Sequence, residues 1–292
     1  MNVIFHIDGG LGKSIMGTAV LNAMRKQYKD DYIIVVTGYP DVFIGNPNAN
    51  KVLNHGQTNN IHKNYIEGKE SKVFLSEPYR ESDYITESKH LIQIWCEMYG
   101  LTYNGETPEL FISNSERQYF EKFYKTGKPI MVIQPNGGAV GQPLQYSWTR
   151  DIPQPIIEKV IEHFKDRYSI LHIKREDQIT YNNTLQALDG FRSIMILISL
   201  SSRRLLIDSS SQHIAKALGM NSVVTWVGTN PKVFGYDNNT NILANEPNRV
   251  VNTEHSFYSK YQLFEDLSTI PYNDLDDVFD VNEIISALEK GH

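Results

Sequence analysis

The chain has 292 residues, of which 40% are hydrophobic, and this length favours two domains of ordinary size. Lys and Arg number 28 against 34 Asp and Glu. The resulting net charge of −6 excludes a general attraction to nucleic acids or anionic membranes, although a local basic cleft remains possible. The sequence contains no apolar run of about 18 residues, so it predicts no membrane span.

The N-terminus enters a strand pattern directly, without the basic and apolar regions of a signal peptide. A single cysteine, Cys96, excludes an internal disulfide and is typical of a reducing compartment. Its surroundings predict a small apolar residue in a helix. We therefore expect a cytoplasmic protein without a transmembrane segment.

The first half of the chain alternates predicted strands and helices. An apolar strand is followed by a glycine-rich turn and by apolar residues at helical spacing, which together predict a βα unit. Later apolar runs are bounded by turn residues, as strands of a parallel sheet are. Strands are predicted at 3–7, 32–37 and 71–75, and helices from residue 15 onward and around 88–101.

A turn-rich stretch at 124–129 separates this half from a second alternating set, so we place a domain boundary between residues 127 and 128. The two domains are then 1–127 and 128–292. Two successive sets predict two parallel sheets, with ligands at the carboxyl ends of the strands in the crevice between them. Strands are predicted at 130–135, 168–174, 204–208 and 222–227, and helices at 153–165, 191–202 and 212–219.

The motif "DGGLGKS" at 8–14 resembles a nucleoside-triphosphate loop only superficially. A Walker A loop needs a glycine where this chain has Ile7. The variant loop that begins with lysine has Asp8 in that place, and a carboxylate there would repel a phosphate. A P-loop NTPase therefore stays a minor alternative.

Two other roles are open for this motif. Gly9, Gly10 and Gly12 would let a substrate approach the backbone, with Asp8 at the strand end acting as a general base. Alternatively, Asp8 only caps the helix that follows.

The stretch "RLLIDSSSQHIAKALGMNSVVTWVGTNPKVFGY" at 204–236 resembles the donor-site signature of glycosyltransferase family 9, the heptosyltransferase-like enzymes. The matching features are a strand ending in Asp, then Ser residues and His213, an alanine-containing helix, a strand, and Gly228-Thr229-Asn230-Pro231. "IGNPNANKVLN", "VIQPNGG" and Trp148 also lie where the family has comparable segments. The resemblance implies the α/β GT-B fold, in which two Rossmann-like domains face each other across a crevice, the first binding the acceptor and the second the donor.

The resemblance also implies a donor site. Ser209, Ser210 and Ser211 at a helix start would seat the diphosphate of a nucleotide sugar, although on pattern alone they are a helix cap. His213 would contact a phosphate, or else pack in the core. The predicted donor-binding residues are Gly137, Trp148, Arg150, Lys174, Asp208, Ser209, Ser210, Ser211, His213, Gly228 and Thr229, and the predicted acceptor-binding residues are Gly9, Gly10 and Gly12.

The chain departs from the family pattern at the catalytic position. The family's Gly-Asp, whose carboxylate is taken as the base, aligns with Gly12-Lys13. We predict that Asp8 replaces that base and that Lys13 holds a phosphate or orients the acceptor. Ser210 stands where the family commonly has glycine, and the lysine that usually precedes the tryptophan is absent. Arg150 or Lys174 would supply the missing charge.

The predicted function is inverting transfer of a sugar from a nucleotide-diphosphate sugar to an acceptor hydroxyl, without a metal or other cofactor. Asp274 and Asp276, which form the Asp-x-Asp pattern, lie in a polar segment, and the histidines show no HExxH spacing. The acceptor is either a saccharide of the lipopolysaccharide type or a hydroxymethylated DNA base, the latter if the chain is a phage-encoded member. The non-enzymatic alternative is a nucleotide-sugar-binding module, and the sequence does not predict the oligomeric state.

Overall fold

A computed structural model describes residues 1–124, 127–137, 149–246 and 270–291. Within these ranges the strands form two separate parallel sheets. The first sheet has the order β3-β2-β1-β4 and the second the order β10-β9-β8-β5-β6-β7. The strands are β1 (Asn2–Ile7), β2 (Tyr32–Thr37), β3 (Lys51–Asn54), β4 (Ser71–Phe74), β5 (Ile130–Ile133), β6 (Ser169–His172), β7 (Leu185–Gln186), β8 (Arg203–Ile207), β9 (Val223–Trp226) and β10 (Thr240–Leu243).

The helices connect these strands and cover both faces of the sheets, as parallel sheets require. The long α1 follows β1, and α8 follows β8, at corresponding places in the two halves. The helices are α1 (Leu11–Gln27), α2 (Ile61–Tyr65), α3 (Ser82–Ile85), α4 (Leu91–Met98), α5 (Asn114–Glu121), α6 (Gln154–Phe164), α7 (Phe191–Leu200), α8 (Ser210–Ala217), α9 (Pro231–Phe234) and α10 (Val281–Lys290). No helix of the described residues is long and apolar enough to cross a membrane.

The predicted strands all form, with ends within two residues of the predicted ones. The sequence analysis missed β3, β7 and β10. Each is short, and β7 is exposed along its length, so none carries the continuous apolar run that marks the buried strands. The boundary between residues 127 and 128 falls in the connection between α5 and β5 and stays a prediction.

The two halves share one apolar core. Phe5 and Trp95 of the first half belong to the same buried cluster as Ile214 and Trp226 of the second. A separate cluster lies on the other face of the second sheet, beneath α6 and α10. The shared cluster fixes how the carboxyl ends of the two sheets approach each other, and this sets the geometry of the crevice.

A bidentate ion pair adds a polar tie between the halves. Arg192 at the start of α7 contacts both carboxylate oxygens of Glu116 on α5, at 2.7 and 2.9 Å, and donates to the carbonyl of Phe111 at 2.7 Å. The Arg192 guanidinium holds the pKa of Glu116 down at about 2. Glu116 also closes the capping box of α5 with Ser113, so one carboxylate both caps a helix and binds across the interface.

We expect acid to destabilise the fold, because the buried His172 and His213 and the half-buried His90 resist protonation. Burial lowers the pKa of His90, His172 and His213 to about 4 each, against about 6.5 in an unfolded chain. Between these values the unfolded chain binds protons that the folded one does not, so stability falls as the pH drops from 6.5 to 4. Three such groups give a slope of up to about 4 kcal/mol per pH unit.

The measurement is the free energy of unfolding in urea at pH 7, 6 and 5. The variant His172→Phe keeps the ring that packs 5.3 Å from Tyr181 but removes one of the three groups, so its slope with pH should be about one third smaller. Equal free energies at pH 7 and pH 5 in the parent chain would contradict the prediction.

Candidate functional site

The N-termini of α1 and α8 meet at the crevice. A Cβ built on Gly12 would lie 3.1 Å from Cδ2 of His213 and 3.6 Å from Cα of Ser210. A Cβ at position 12 would therefore fit only if the His213 ring moved by a few tenths of an ångström. Gly12 lies where the first turns of two helices from different halves contact each other, and its role in acceptor binding stays a prediction.

Neither helix start is capped by a side chain. The N-cap residues are Gly10 for α1 and Ser209 for α8, and neither first turn contains an acidic residue. The Ser209 Oγ instead accepts from Nε2 of Gln134 at 3.2 Å. In α8 the Gln212 amide donates to the carbonyl of Ser209 at 3.2 Å, whereas the amides of Ser210 and Ser211 precede the first helical acceptor. Two positive helix ends therefore face one space.

The residues beneath the α8 start form a buried hydrogen-bonded layer. Nδ1 of His213 lies 2.8 Å from the Tyr236 hydroxyl, and the depressed pKa of His213 described above keeps its ring neutral. Asp208 accepts from Nε2 of Gln212 at 3.2 Å and is itself buried. This arrangement fits the alternative in which His213 packs in the core, and it makes Asp208 and His213 supports of the helix start.

The loops after β5 and β9 close over the carboxyl end of β8. The Gly137 amide donates to Oδ1 of Asp151 at 2.8 Å, and the Gly228 amide donates to the carbonyl of Thr149 at 2.7 Å. The hydroxyl of Thr229 is buried and has no hydrogen-bond partner among the described residues. Trp148 lies outside the described residues.

Arg150 faces the crevice. Its side chain is exposed and forms no ion pair with the described residues. Burial raises the pKa of Tyr79 and Tyr84 in the first half and lowers that of His213 in the second, and at all three groups the nearby Arg150 charge makes a smaller contribution that lowers the pKa. Lys174 differs, because its ammonium donates to the carbonyls of Arg175 and Gln178 at 3.0 and 3.1 Å. Neither of the two cations predicted to serve the donor forms an ion pair with the described residues, but the Lys174 ammonium is already held by two carbonyls.

A pocket of about 340 Å³ opens beside these loops. It combines aromatic and aliphatic walls with amide and carboxylate groups, as sites for small organic ligands do. Its residues come from the loops after β5, β6 and β9 and from the segment before α10. The residues that line it include Asn136, Ile152, Gln178, Tyr181, Val227 and Tyr272.

Asp8 lies directly after β1, with 58% of its side chain exposed. It does not cap α1, whose N-cap is Gly10 without a side-chain hydrogen bond. The imidazoles of His6 and His55 flank its carboxylate, at 3.6 and 3.7 Å. Gly9, at φ 98°, turns the chain from β1 into α1 in a conformation that favours glycine.

Lys13 is buried and already paired. Its side chain is 4% exposed, and its ammonium contacts both carboxylate oxygens of Glu77, one of them at 2.5 Å. The ammonium also lies 5.3 Å from the ring centre of Tyr79 and 5.2 Å from that of Trp95. The predicted phosphate role would require Lys13 to leave this pair, so in the described structure it orders Glu77 at the crevice.

This pairing sharpens the expectation that the chain is not an NTPase. A P-loop lysine must reach the β- and γ-phosphates, and Lys13 is held by Glu77 instead. Purified protein with magnesium should release no phosphate from ATP or GTP above the buffer background. Phosphate release that disappears in Lys13→Ala would contradict this interpretation.

Sequence reasoning missed four residues at this crevice: Glu77, His6, His55 and Gln134. Glu77 follows the strand predicted at 71–75, and Gln134 lies near the end of the strand predicted at 130–135, so their position at a carboxyl strand end was a usable signal. His55 follows β3, which was not predicted. Lys13 and Glu77 are 64 residues apart, and no local pattern connects them.

No family model and no curated protein sequence matches the chain. Solved structures do match it along nearly its whole length. A glycosyltransferase family 9 protein from Veillonella parvula DSM 2008 superposes with a TM-score of 0.68 at 16% identity, covering 99% of this chain and 96% of that one. The chain has the fold of glycosyltransferase family 9.

Two further structures support the same assignment. The E. coli ADP-heptose LPS heptosyltransferase II has a TM-score of 0.67 at 13% identity, with 99% of both chains covered. The dodecameric iron-containing heptosyltransferase TibC, in complex with ADP-D-β-D-heptose, has a TM-score of 0.66 at 11% identity, with 99% of this chain and 76% of that one covered. The predicted α/β fold with two parallel sheets of the GT-B type is confirmed.

Proposed function

We propose that the chain is a glycosyltransferase that moves a sugar from a nucleotide-diphosphate sugar to a saccharide hydroxyl. The observation that carries this proposal is the meeting of two uncapped helix starts, α1 and α8, at the carboxyl ends of two sheets with the family 9 fold. A diphosphate needs amide donors and positive potential, and this arrangement offers both.

The donor would occupy the second half. Its diphosphate would accept from the amides of Ser210 and Ser211, with Arg150 as the cation that balances the charge of the leaving group. The nucleoside would enter the pocket beside Tyr181, where aromatic walls and amide groups suit a planar base with polar edges. Stabilisation by amides and a guanidinium asks for no metal at the diphosphate. Two heptosyltransferases of similar structure are described with ADP-heptose, one by its name and one as a complex. ADP-sugars are therefore the first donors to test.

The acceptor would approach from the first half, past Gly9 and Gly10. Asp8 would take the proton from the acceptor hydroxyl as that oxygen forms its bond to the anomeric carbon. The bond between the anomeric carbon and the diphosphate oxygen breaks in the same step, and the electron pair leaves with the diphosphate. Attack from the side opposite the leaving group gives inversion.

The charges at the crevice favour a saccharide over DNA. Asp8, Glu77 and Asp208 contribute carboxylates there, and Glu87 accepts from Nδ2 of Asn230 across it at 2.8 Å. Glu77 and Lys13 neutralise each other, which leaves Arg150, among the described residues, as the cation to set against Asp8, Glu87 and Asp208. A DNA acceptor would need several unpaired cations along its backbone path, whereas a neutral saccharide needs only hydrogen bonds.

The test is release of nucleoside diphosphate from ADP-, UDP- and GDP-sugars, with and without acceptors. A panel of oligosaccharides and a duplex containing hydroxymethylcytosine should separate the two acceptor classes, and we expect release only with saccharides. Binding of a nucleotide sugar without turnover on any acceptor would instead support the non-catalytic binding module. Turnover with the duplex alone would support the DNA acceptor.

A further inference from the structure

Three potential metal ligands converge at the carboxyl edge of the first sheet. His6 lies in β1, Asp8 follows β1, and His55 follows β3, which is separated from β1 by β2. Their ligand atoms all lie within 4.8 Å of one another. Gly38, next after β2, has no side chain, and its Cβ position lies 3.7 Å from Nδ1 of His55. The His55 ring therefore lies over the end of β2 and stacks on the ring of His6.

The three side chains lie close together but form no hydrogen bonds with one another. The imidazoles stack with ring centres 4.8 Å apart and planes 23° apart. Nδ1 of His6 and Nε2 of His55 lie 3.6 and 3.7 Å from the two oxygens of Asp8, which is beyond hydrogen-bond distance. Nε2 of His55 is buried and has no hydrogen-bond partner among the described residues. The three atoms thus surround a point without bonding to each other.

We propose that His6, Asp8 and His55 bind one first-row divalent cation of the Zn²⁺ or Co²⁺ type, with water at the open positions. Ligands at about 2.1 Å from such an ion are separated from each other by roughly 3 to 3.5 Å. The two nitrogen–oxygen distances of 3.6 and 3.7 Å are close to this range, and binding would require the stacked imidazoles to turn so that both nitrogens face the ion. Two imidazoles and one carboxylate suit these ions, whereas Mg²⁺ and Ca²⁺ prefer oxygen ligands alone.

The ionisation of the cluster agrees with this assignment. Burial, the largest cause, lowers the pKa of His6 although the neighbouring Asp8 charge acts in the opposite direction. A neutral imidazole is the form that ligates a metal. The expectation of no metal rested on local histidine motifs such as HExxH. This cluster joins residues that follow or belong to separate strands, and β3 was not predicted, so histidine spacing along the chain could not reveal it.

The cation would inhibit transfer, a consequence that rests on the proposed function. A carboxylate oxygen that holds a metal ion no longer accepts a proton from the acceptor, so Zn²⁺ should lower the rate and a chelator should restore it. Binding itself does not depend on the chain being a transferase, so the two ideas fail separately.

The test is titration of untagged full-length protein with Co²⁺, followed by visible absorption, and with Zn²⁺, followed by calorimetry. We expect one Co²⁺ per chain, displaced by Zn²⁺ but not by Mg²⁺. His55→Ala should weaken binding by at least about tenfold, the factor that even an outer-shell partner contributes. His55 follows a short edge strand, so this variant should fold even if His6→Ala does not.

The matched control is His62→Ala, which removes an exposed histidine of the neighbouring α2 and should leave the affinity unchanged. Absence of binding to the parent chain would overturn the proposal. Equal affinity in His55→Ala, or an equal loss in His62→Ala, would overturn it as well.

Discussion

Replacing Asp8 with asparagine is expected to lower the transfer rate by about 10²- to 10⁴-fold, the usual contribution of a general base. The donor affinity should change little, because Asp8 lies in the first half and the donor helix α8 in the second. Asparagine is close to isosteric and keeps hydrogen-bonding ability but cannot take the proton. The measurement is kcat with the donor and acceptor found in the transfer assay, in the presence of a chelator.

The matched control is Asp30→Asn, an exposed carboxylate beyond the opposite end of α1, whose rate should equal that of the parent chain. A loss smaller than about fivefold in Asp8→Asn, which is well below the expected range, would remove Asp8 from the role of base. Glu77→Gln would then be the next variant to measure, because Glu77 is the carboxylate that Lys13 holds at the crevice.

Replacing Ser210 with glutamate is expected to abolish detectable nucleotide binding. The new carboxylate would lie at the first residue of α8, where the diphosphate is proposed to bind. Repulsion between unit charges about 4 Å apart near a protein surface is of the order of 4 kcal/mol, which corresponds to roughly a thousandfold loss of affinity. Calorimetric titration of the nucleoside diphosphate measures it.

The fold should tolerate this change, because a carboxylate at a helix N-terminus is favourable for the helix. Ser115→Glu provides the matched control, since it places the same charge in the first turn of α5, outside the crevice. Both variants should keep the parent melting temperature, and only Ser210→Glu should lose the nucleotide. Unchanged affinity in Ser210→Glu would place the diphosphate elsewhere.

The buried strands could be predicted because a strand that is buried on both faces consists of a continuous apolar run. The helices between them could be predicted from apolar residues at helical spacing. Ile33, Ile34, Val35 and Val36 in β2 are all fully or almost fully buried, and the prediction of residues 32–37 matches the structure. The partly exposed "KVLN" of β3 carries no such run. The half-exposed edge strand β3 was therefore not predicted from the sequence, and neither was the position of His55, which follows it.

The candidate site was predictable only where its residues are neighbours in the chain. Asp208 and the serines of α8 form one strand-to-helix turn, so their grouping follows from local sequence. The pairing of Lys13 with Glu77 and the contact of Gly12 with His213 depend on how separate elements pack. Packing bears on two roles that the pattern had left open. Gly10 and not Asp8 is the N-cap of α1, and His213 is buried beneath the start of α8, while its contact with a phosphate stays a prediction.

Thermal unfolding with and without nucleotides tests most directly whether this crevice holds a nucleoside diphosphate. ADP, UDP and GDP and their sugars are added to the parent chain and to Ser210→Glu. A ligand at about 100 times its dissociation constant stabilises the folded state by roughly 2.7 kcal/mol. We expect at least one nucleotide to raise the melting temperature of the parent chain and to leave that of Ser210→Glu unchanged. No shift with any of them, or the same shift in both proteins, would contradict it.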